Sequence, residues 1–494
     1  MEHEVWLLWA TLATISLIYY LMISPSSRAG ARRRPPGPMP LPLIGNLLDL
    51  RGNLHHTLAH LARVHGPVMR LKLGLTTAVV ISTRDAAREA FTKHDRRLAA
   101  HAVPDASRAL RLCERSMVWL PSSDPRWKLL RGILATHVCS PRRLDAARGV
   151  RERKVRDMVG YLRGRAAAGE EVDIGEAVYG GVLNLVSSAF CSVDVVDMSA
   201  ESAQGLRDLV EDLIELIAKP NVSDFFPFLR PLDLQGLRRW AAGQIERVLR
   251  VLDGVIERRL ADELRPSPDR RHGDFLDALI ELMSTGKISR DTTIANTVTW
   301  AMAELLRNPG TMAMARTEIG SALGSKEAVE EADAASLPYL QAVTKEAMRL
   351  HPVAPVLLPH LAVEDGVEVC GYAVPKGCTV IFNSWAIMRD PAAWERPDEF
   401  MPERFLDTAA ATEMDLRGKE FQFIPFGSGR RLCPGLHGDL QLVGDNAFVL
   451  MSLLHAFEWR LPNGMSAEQL DLSEKFTTAN VLVAPLRAAP VVIT

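Results

Sequence analysis

Phe426-Gly427-Ser428-Gly429-Arg430-Arg431-Leu432-Cys433-Pro434-Gly435 is the stretch that decides how this chain is read. It is a glycine-rich loop that ends in one cysteine and leads toward an apolar helical stretch, so it presents a single thiolate. A thiolate that serves as an iron ligand has to be kept from protons and positioned by main-chain amides, and glycines let those amides come close to the sulfur. Gly429 and Gly435 supply that freedom, and Arg431 supplies positive charge.

Three further segments extend the pattern outward. In Lys345-Glu346-Ala347-Met348-Arg349 the spacing i, i+3 puts Glu346 and Arg349 on one helix face. Phe400-Met401-Pro402-Glu403-Arg404-Phe405 brings a second arginine, and Trp127-Lys128-Leu129-Leu130-Arg131 pairs an indole with a guanidinium one turn apart. His360 follows Leu357-Leu358-Pro359. Taken singly, each of these reads equally well as an amphipathic surface helix, an exposed charge pair or a surface histidine.

With the cysteine loop they make the chain resemble the cytochrome P450 family, whose haem loop Phe-x-x-Gly-x-Arg-x-Cys-x-Gly is matched at Phe426, Gly429, Arg431, Cys433 and Gly435. The resemblance covers essentially the whole chain. It implies a mainly α fold with small β-sheets and haem b as cofactor, with Cys433 as the iron ligand. Arg431, Trp127, Arg131 and His360 are then expected at the haem propionates. Glu346, Arg349 and Arg404 are expected to form a buried Glu-Arg-Arg cluster that braces the core behind the haem. The stretches around 220–234, 337–360 and 385–405 look most like the plant microsomal branch related to geraniol hydroxylases, especially grass members acting on diterpenes.

Composition agrees with a globular enzyme. The 494 residues are 47% hydrophobic and 24% charged, with 58 basic side chains against 60 acidic ones, which gives no basic field for nucleic acid. The six cysteines show no Cys-x-x-Cys pair and no zinc spacing. No flavin or dinucleotide motif is present, so the family chemistry would draw NADPH electrons from a separate NADPH-cytochrome P450 reductase.

At the start, residues 5–23 carry no charge and make a helix of roughly 28 Å, close to a bilayer core. Glu2 and Glu4 precede it and Arg28, Arg32, Arg33 and Arg34 follow, which keeps the remainder cytosolic. Residues 1–27 thus read as a single-pass signal anchor in the endoplasmic reticulum membrane, 28–45 as a basic, proline-rich hinge, and 46–494 as one catalytic domain. Asn221-Val222-Ser223 matches a glycosylation sequon but lies on the cytosolic side, and a turn beside Pro220 is the better reading. Periodicity predicts strands at 68–73, 78–81, 379–381 and 481–485, and helices at 84–93, 201–217, 237–264 and 297–306.

One region departs from the family. Its members carry a long helix over the distal haem face with Ala/Gly-Gly-x-Asp/Glu-Thr at its centre, and here roughly 16 to 18 residues, about 25 Å of helix, are missing between Lys287 and Thr297, leaving a shortened helix near 286–307. Counting back from Trp300 assigns the catalytic threonine to Thr293 and the acid position to Thr292, with Ser289-Arg290 in place of the small pair. Counting from Asp291-Thr292 restores the acid and slips Trp300 by one residue, a rotation of about 100°. A smaller departure follows the cysteine, where His437-Gly438-Asp439 to Gly444-Asp445 breaks what is usually a smoother helix.

Three functions therefore stand side by side: a monooxygenase acting on a hydrophobic metabolite, most readily a terpenoid; a haem-binding variant impaired in catalysis; and an oxygen-independent haem-thiolate isomerase. Phe225, Phe226, Val353, Ala354, Val356, Leu357 and Phe476 align with the family's substrate-recognition segments and are apolar, although plain core packing would use the same residues.

Overall fold

The computed structural model describes residues 33–192, 194, 219–263, 291–326, 329–406, 416, 418–438, 441–476 and 479–493, together with Trp6, Trp9 and Thr14. The helix expected at 201–217 and most of the anchor at 5–23 lie outside these. Among the described residues no helix is long and apolar enough to cross a membrane.

Eight helices matter for the site: α1 (Leu54–His65), α2 (Arg84–Lys93), α3 (Pro125–Ile133), α4 (Ile174–Cys191), α5 (Leu237–Glu263), α6 (Asp291–Arg307), α7 (Pro338–Leu350) and α8 (Gln441–Ala456). From Ile294 onward α6 is buried on nearly every side, which marks an interior helix, and it is packed on α4, α7 and α8. These helices hold most of the main hydrophobic core.

A mixed sheet lies beside this core. Its strands β1 (Val68–Leu73), β2 (Thr76–Ile81), β3 (Ala100–His101), β4 (His360–Leu361) and β5 (Thr379–Phe382) run in the order β1-β2-β5-β4-β3. Only β2 and β5 are parallel within it, with Val80 opposite Ile381. Gly74 closes the β1–β2 turn at φ +57°, and a Cβ there would stand 2.8 Å from the Phe225 carbonyl oxygen.

The strands expected at 68–73, 78–81 and 379–381 fall within β1, β2 and β5, whereas 481–485 does not form one strand. Asn480–Leu482 pairs with Glu474–Phe476, making β7 and β6 of a small hairpin, and the final strand starts only at Arg487. Pro485 has no amide to give to a ladder and stands between them.

The proline-rich segment from Arg33 is docked against the sheets. The Arg70 amide donates to the Pro36 carbonyl at 2.6 Å, the Ala373 amide donates to that of Arg33 at 2.8 Å, and the Lys72 amide donates to Asn46 Oδ1 at 2.8 Å. Prolines lack amide donors but keep their carbonyls, so a strand edge can still hold such a segment. The part of the expected hinge from Arg33 to Gly45 is therefore a strap on the sheet. At the sequon, the Asn221 side chain caps a helical turn by accepting from the Ser223 amide, and Asn221 is buried.

Candidate active site

The cysteine loop is built on left-handed glycines, Gly427 at φ +76° and Gly429 at φ +67°. A Cβ on Gly429 would lie 2.3 Å from Asp95 Oδ1, the same oxygen that accepts from the Arg430 amide at 2.9 Å. The Cys433 amide donates to the Phe426 carbonyl at 3.1 Å and the Leu436 amide to that of Cys433 at 3.2 Å, so the thiol rides on a closed, doubly tied turn. Gly435 is buried, and Leu357 lies against Gly427. Beyond the cysteine comes only a short 3₁₀ turn, Pro434–Gly438, and α8 begins at Gln441. Asp445, part of the glycine-acid interruption, is buried 3.6 Å from the Arg151 guanidinium.

Asp124 caps α3 by accepting from the Arg126 amide, and Pro125 opens it, which sets Trp127 and Arg131 facing the loop. Arg131 Nη1 donates to the Leu432 carbonyl at 2.9 Å, and the guanidiniums of Arg131 and Arg431 stand 5.5 and 5.1 Å from the Trp127 ring. Arg431 donates to the carbonyls of Ala99, Met117 and Leu120. Burial pushes Arg431 down to about 10, with Arg131 acting in the same direction, and burial lowers Arg131 as well.

Sheet register adds a residue that sequence reasoning missed. His101 in β3 lies opposite His360 in β4, and the two rings meet edge to face at 5.2 Å. Val118 and Leu98 carbonyls hold their Nδ1 atoms at 2.7 and 2.6 Å. Burial first, then His360 and Arg431, bring His101 down to about 3; burial brings His360 to about 4. Both rings are therefore neutral near pH 7. No local signal marks His101, because its partner is 259 positions away and only strand pairing joins them.

This set fits haem b. Among the described residues no carboxylate comes within ion-pairing distance of Arg131 or Arg431, and both spend their donors on main-chain carbonyls inside the protein. Two half-buried cations beside a thiol have no carboxylate counter-charge among the described residues, and two propionates with a thiolate-ligated iron would supply it.

Glu346, Arg349 and Arg404 do meet. Glu346 and Arg349 are fully buried; Arg349 reaches both carboxylate oxygens at 2.7 and 2.8 Å, and Arg404 Nε reaches one at 3.0 Å. The Met401 amide donates to the same oxygen at 2.9 Å, and Arg349 also donates to the Met388 and Pro397 carbonyls. Every charge in this brace is paired, the condition for burying ions without a large penalty.

On α6, Asp291, Thr292 and Thr293 fall in the first turn, and Ser289 and Arg290 lie outside the described residues. The helix is pinned further along: Trp300 Nε1 donates to the Asn480 carbonyl at 2.9 Å, and its ring stacks on His351 at 3.8 Å.

The seven apolar positions expected at the substrate have different described neighbours. Phe225 and Val356 pack into the small core under β1 and β2, and Phe226 lies near the Gly74 turn. The carbonyls of Val353 and Ala354 accept from the Asn480 amide and the Ser384 hydroxyl. Phe476 sits in the β6–β7 hairpin near His55. Leu357 is the member placed against the cysteine loop.

Fold and site together define a protein that presents a cysteine beside a cation pocket for a dianionic prosthetic group. The Cytochrome P450 family model matches residues 35–484, and the chain belongs to that family as a monooxygenase. It is 62% identical to cytochrome P450 76M5, 60% to oryzalexin E synthase and 58% to ent-cassadiene C11-alpha-hydroxylase 1, all of Oryza sativa subsp. japonica. The matches cover 99, 99 and 100% of this chain and 99, 98 and 99% of those relatives, respectively.

Proposed function

We propose that this monooxygenase hydroxylates a diterpenoid, using haem b on Cys433 and NADPH electrons from a separate membrane-bound reductase. Haem bound there supplies oxygen activation for insertion into a C–H bond. The chain's own residues hold and screen it: Arg431 and Arg131 offer positive charge to the propionates, Trp127 covers both guanidiniums, and His101 and His360 stay neutral beside them. The observation that carries this reading is the pair of half-buried guanidiniums next to Cys433 with no carboxylate partner among the described residues. The diterpenoid class is supported by relatives named oryzalexin E synthase and ent-cassadiene C11-alpha-hydroxylase 1. Leu357, beside the cysteine loop, is the apolar wall we assign to substrate.

Residues 5–23 serve in this reading as an endoplasmic reticulum anchor, with the strap from Arg33 fixing where the domain begins. The distal helix lacks part of its length. The match to cytochrome P450 76M5 runs over 511 positions, 17 more than the 494 residues of this chain, which supports a shortened segment of the size expected from the sequence. We assign the proton-delivering positions to Asp291, Thr292 and Thr293, and the shortened helix leaves the chain poorly coupled.

The test is NADPH-dependent turnover of ent-cassadiene by membranes holding the chain and a plant reductase, followed by mass spectrometry, with peroxide counted in parallel. Hydroxylated product with excess peroxide is the expected result. A carbonyl spectrum typical of thiolate-bound haem, with no oxidised diterpene from any of several diterpene olefins, overturns the substrate assignment.

A further inference from the structure

Helix α1 and the β6–β7 hairpin meet at a cluster that shares no residue with the haem site. His55 and His56, consecutive in α1, both turn Nε2 toward the same oxygen of Glu474 in β6, with His55 at 2.9 Å. The other carboxylate oxygen accepts from Asn480 Nδ2 and lies 3.9 Å from His351 Nδ1. The ligand atoms of His55, His56 and Glu474 all fall within 4.8 Å of one another.

His55 is fully buried and its Nδ1 has no partner, so only the contact with Glu474 decides which ring nitrogen keeps the proton. Its Nε2 is as well placed to offer a lone pair as to donate. Trp385 and Phe476, at 5.6 and 5.5 Å from the His55 ring, wall the cluster. The His56 side chain is 44% exposed and leaves a way in from solvent.

We propose that His55, His56 and Glu474 form a binding site for a divalent cation of the zinc class. Two imidazole nitrogens and one carboxylate oxygen are ligands that suit zinc, and three protein ligands leave a fourth position for water. Arg389, stacked on Trp385 at 4.1 Å, faces the cluster and opposes a second cation, so the site is an exchangeable one. The bound ion ties α1 to the hairpin that also carries Asn480, whose carbonyl holds Trp300 of α6.

The experiment uses the full chain in detergent without a polyhistidine tag, dialysed against zinc chloride, with zinc and haem iron counted by elemental analysis. One zinc per chain is expected. His56→Ala, at an exposed position, and Glu474→Gln, which keeps the shape of the side chain, each lower the affinity at least about tenfold. The haem spectrum stays unchanged in His56→Ala, and zinc raises the unfolding temperature of the parent chain but not of that variant. Parent protein that takes up no zinc, or all three proteins binding zinc equally, overturns the site.

Discussion

On the cysteine side of the site, Cys433 is tied back to Phe426 and Arg431 alone reaches the carbonyls of Ala99, Met117 and Leu120; on α6, the ties run from Trp300 to Asn480 and His351, two turns beyond Thr292. The loop is positioned by contacts made at the reactive residue itself. The helix is positioned by burial from Ile294 onward and by the ties at Trp300, so the positions ahead of Ile294 are set through helical register. A loop of the first kind tolerates changes elsewhere in the chain, whereas a helix of the second kind loses its chemistry when residues are removed from it.

The largest effect is expected from breaking the well-held side. Cys433→Ala removes the thiolate, and none of the other described cysteines lies on that loop to replace it. The reduced protein with carbon monoxide should lose the far-red-shifted band completely, and a variant that retains the parent spectrum refutes the ligand assignment.

The next prediction repairs the weaker side. Inserting the corresponding segment of cytochrome P450 76M5 between Lys287 and Thr293 should raise product formed per NADPH consumed severalfold while lowering peroxide. Both quantities can be read in one reconstituted assay. Unchanged coupling means that the shortened helix is not what limits this chain.

Arg349→Ala tests the buried brace that Arg349 forms with Glu346 and Arg404. It leaves the fully buried Glu346 with Arg404 as its remaining cation and strips donors from the Met388 and Pro397 carbonyls. A loss of about 3–5 kcal/mol in denaturant unfolding is expected, enough to prevent accumulation of folded protein. A loss below about 1 kcal/mol counts against the cluster as a structural element.

The smallest effect concerns pH. His360 is held at about 4 in the folded chain against 6.5 for a free histidine, so below pH 6.5 the unfolded chain binds the proton first and stability falls until about pH 4. The haem-free protein should lose up to roughly 3 kcal/mol over that window from His360, and His360→Gln should flatten the slope. Urea midpoints at several pH values measure it. Equal slopes in the two proteins would show that His360 is not kept neutral by burial.

How much of this was legible beforehand depended on the range of the interaction. Cys433 in its glycine loop and the Glu346–Arg349 pair announce themselves because their patterns lie within a loop or a helical turn, whereas the carbonyls that hold Arg431 lie more than 300 residues away from it. The strand at 68–73 and the helix at 84–93 were equally plain, since periods of two and 3.6 residues are written in the order of side chains. The strand expected at 481–485 ends at Leu482, and the next strand starts only at Arg487, beyond Pro485.

By itself, then, the sequence determined the thiolate loop, the charge pairs within helices and the apolar run at the start. Tertiary structure alone decided that His101 lies across from His360, that the segment from Arg33 straps onto β1, and that two histidines of α1 share one carboxylate of a hairpin more than 400 residues away. It also placed Phe225 and Val356 in the small core under β1 and β2 and Leu357 beside the cysteine loop. The reason is physical: local patterning fixes backbone conformation and which face is apolar, but which faces meet depends on packing between elements distant in the chain, and no short window of residues contains both partners.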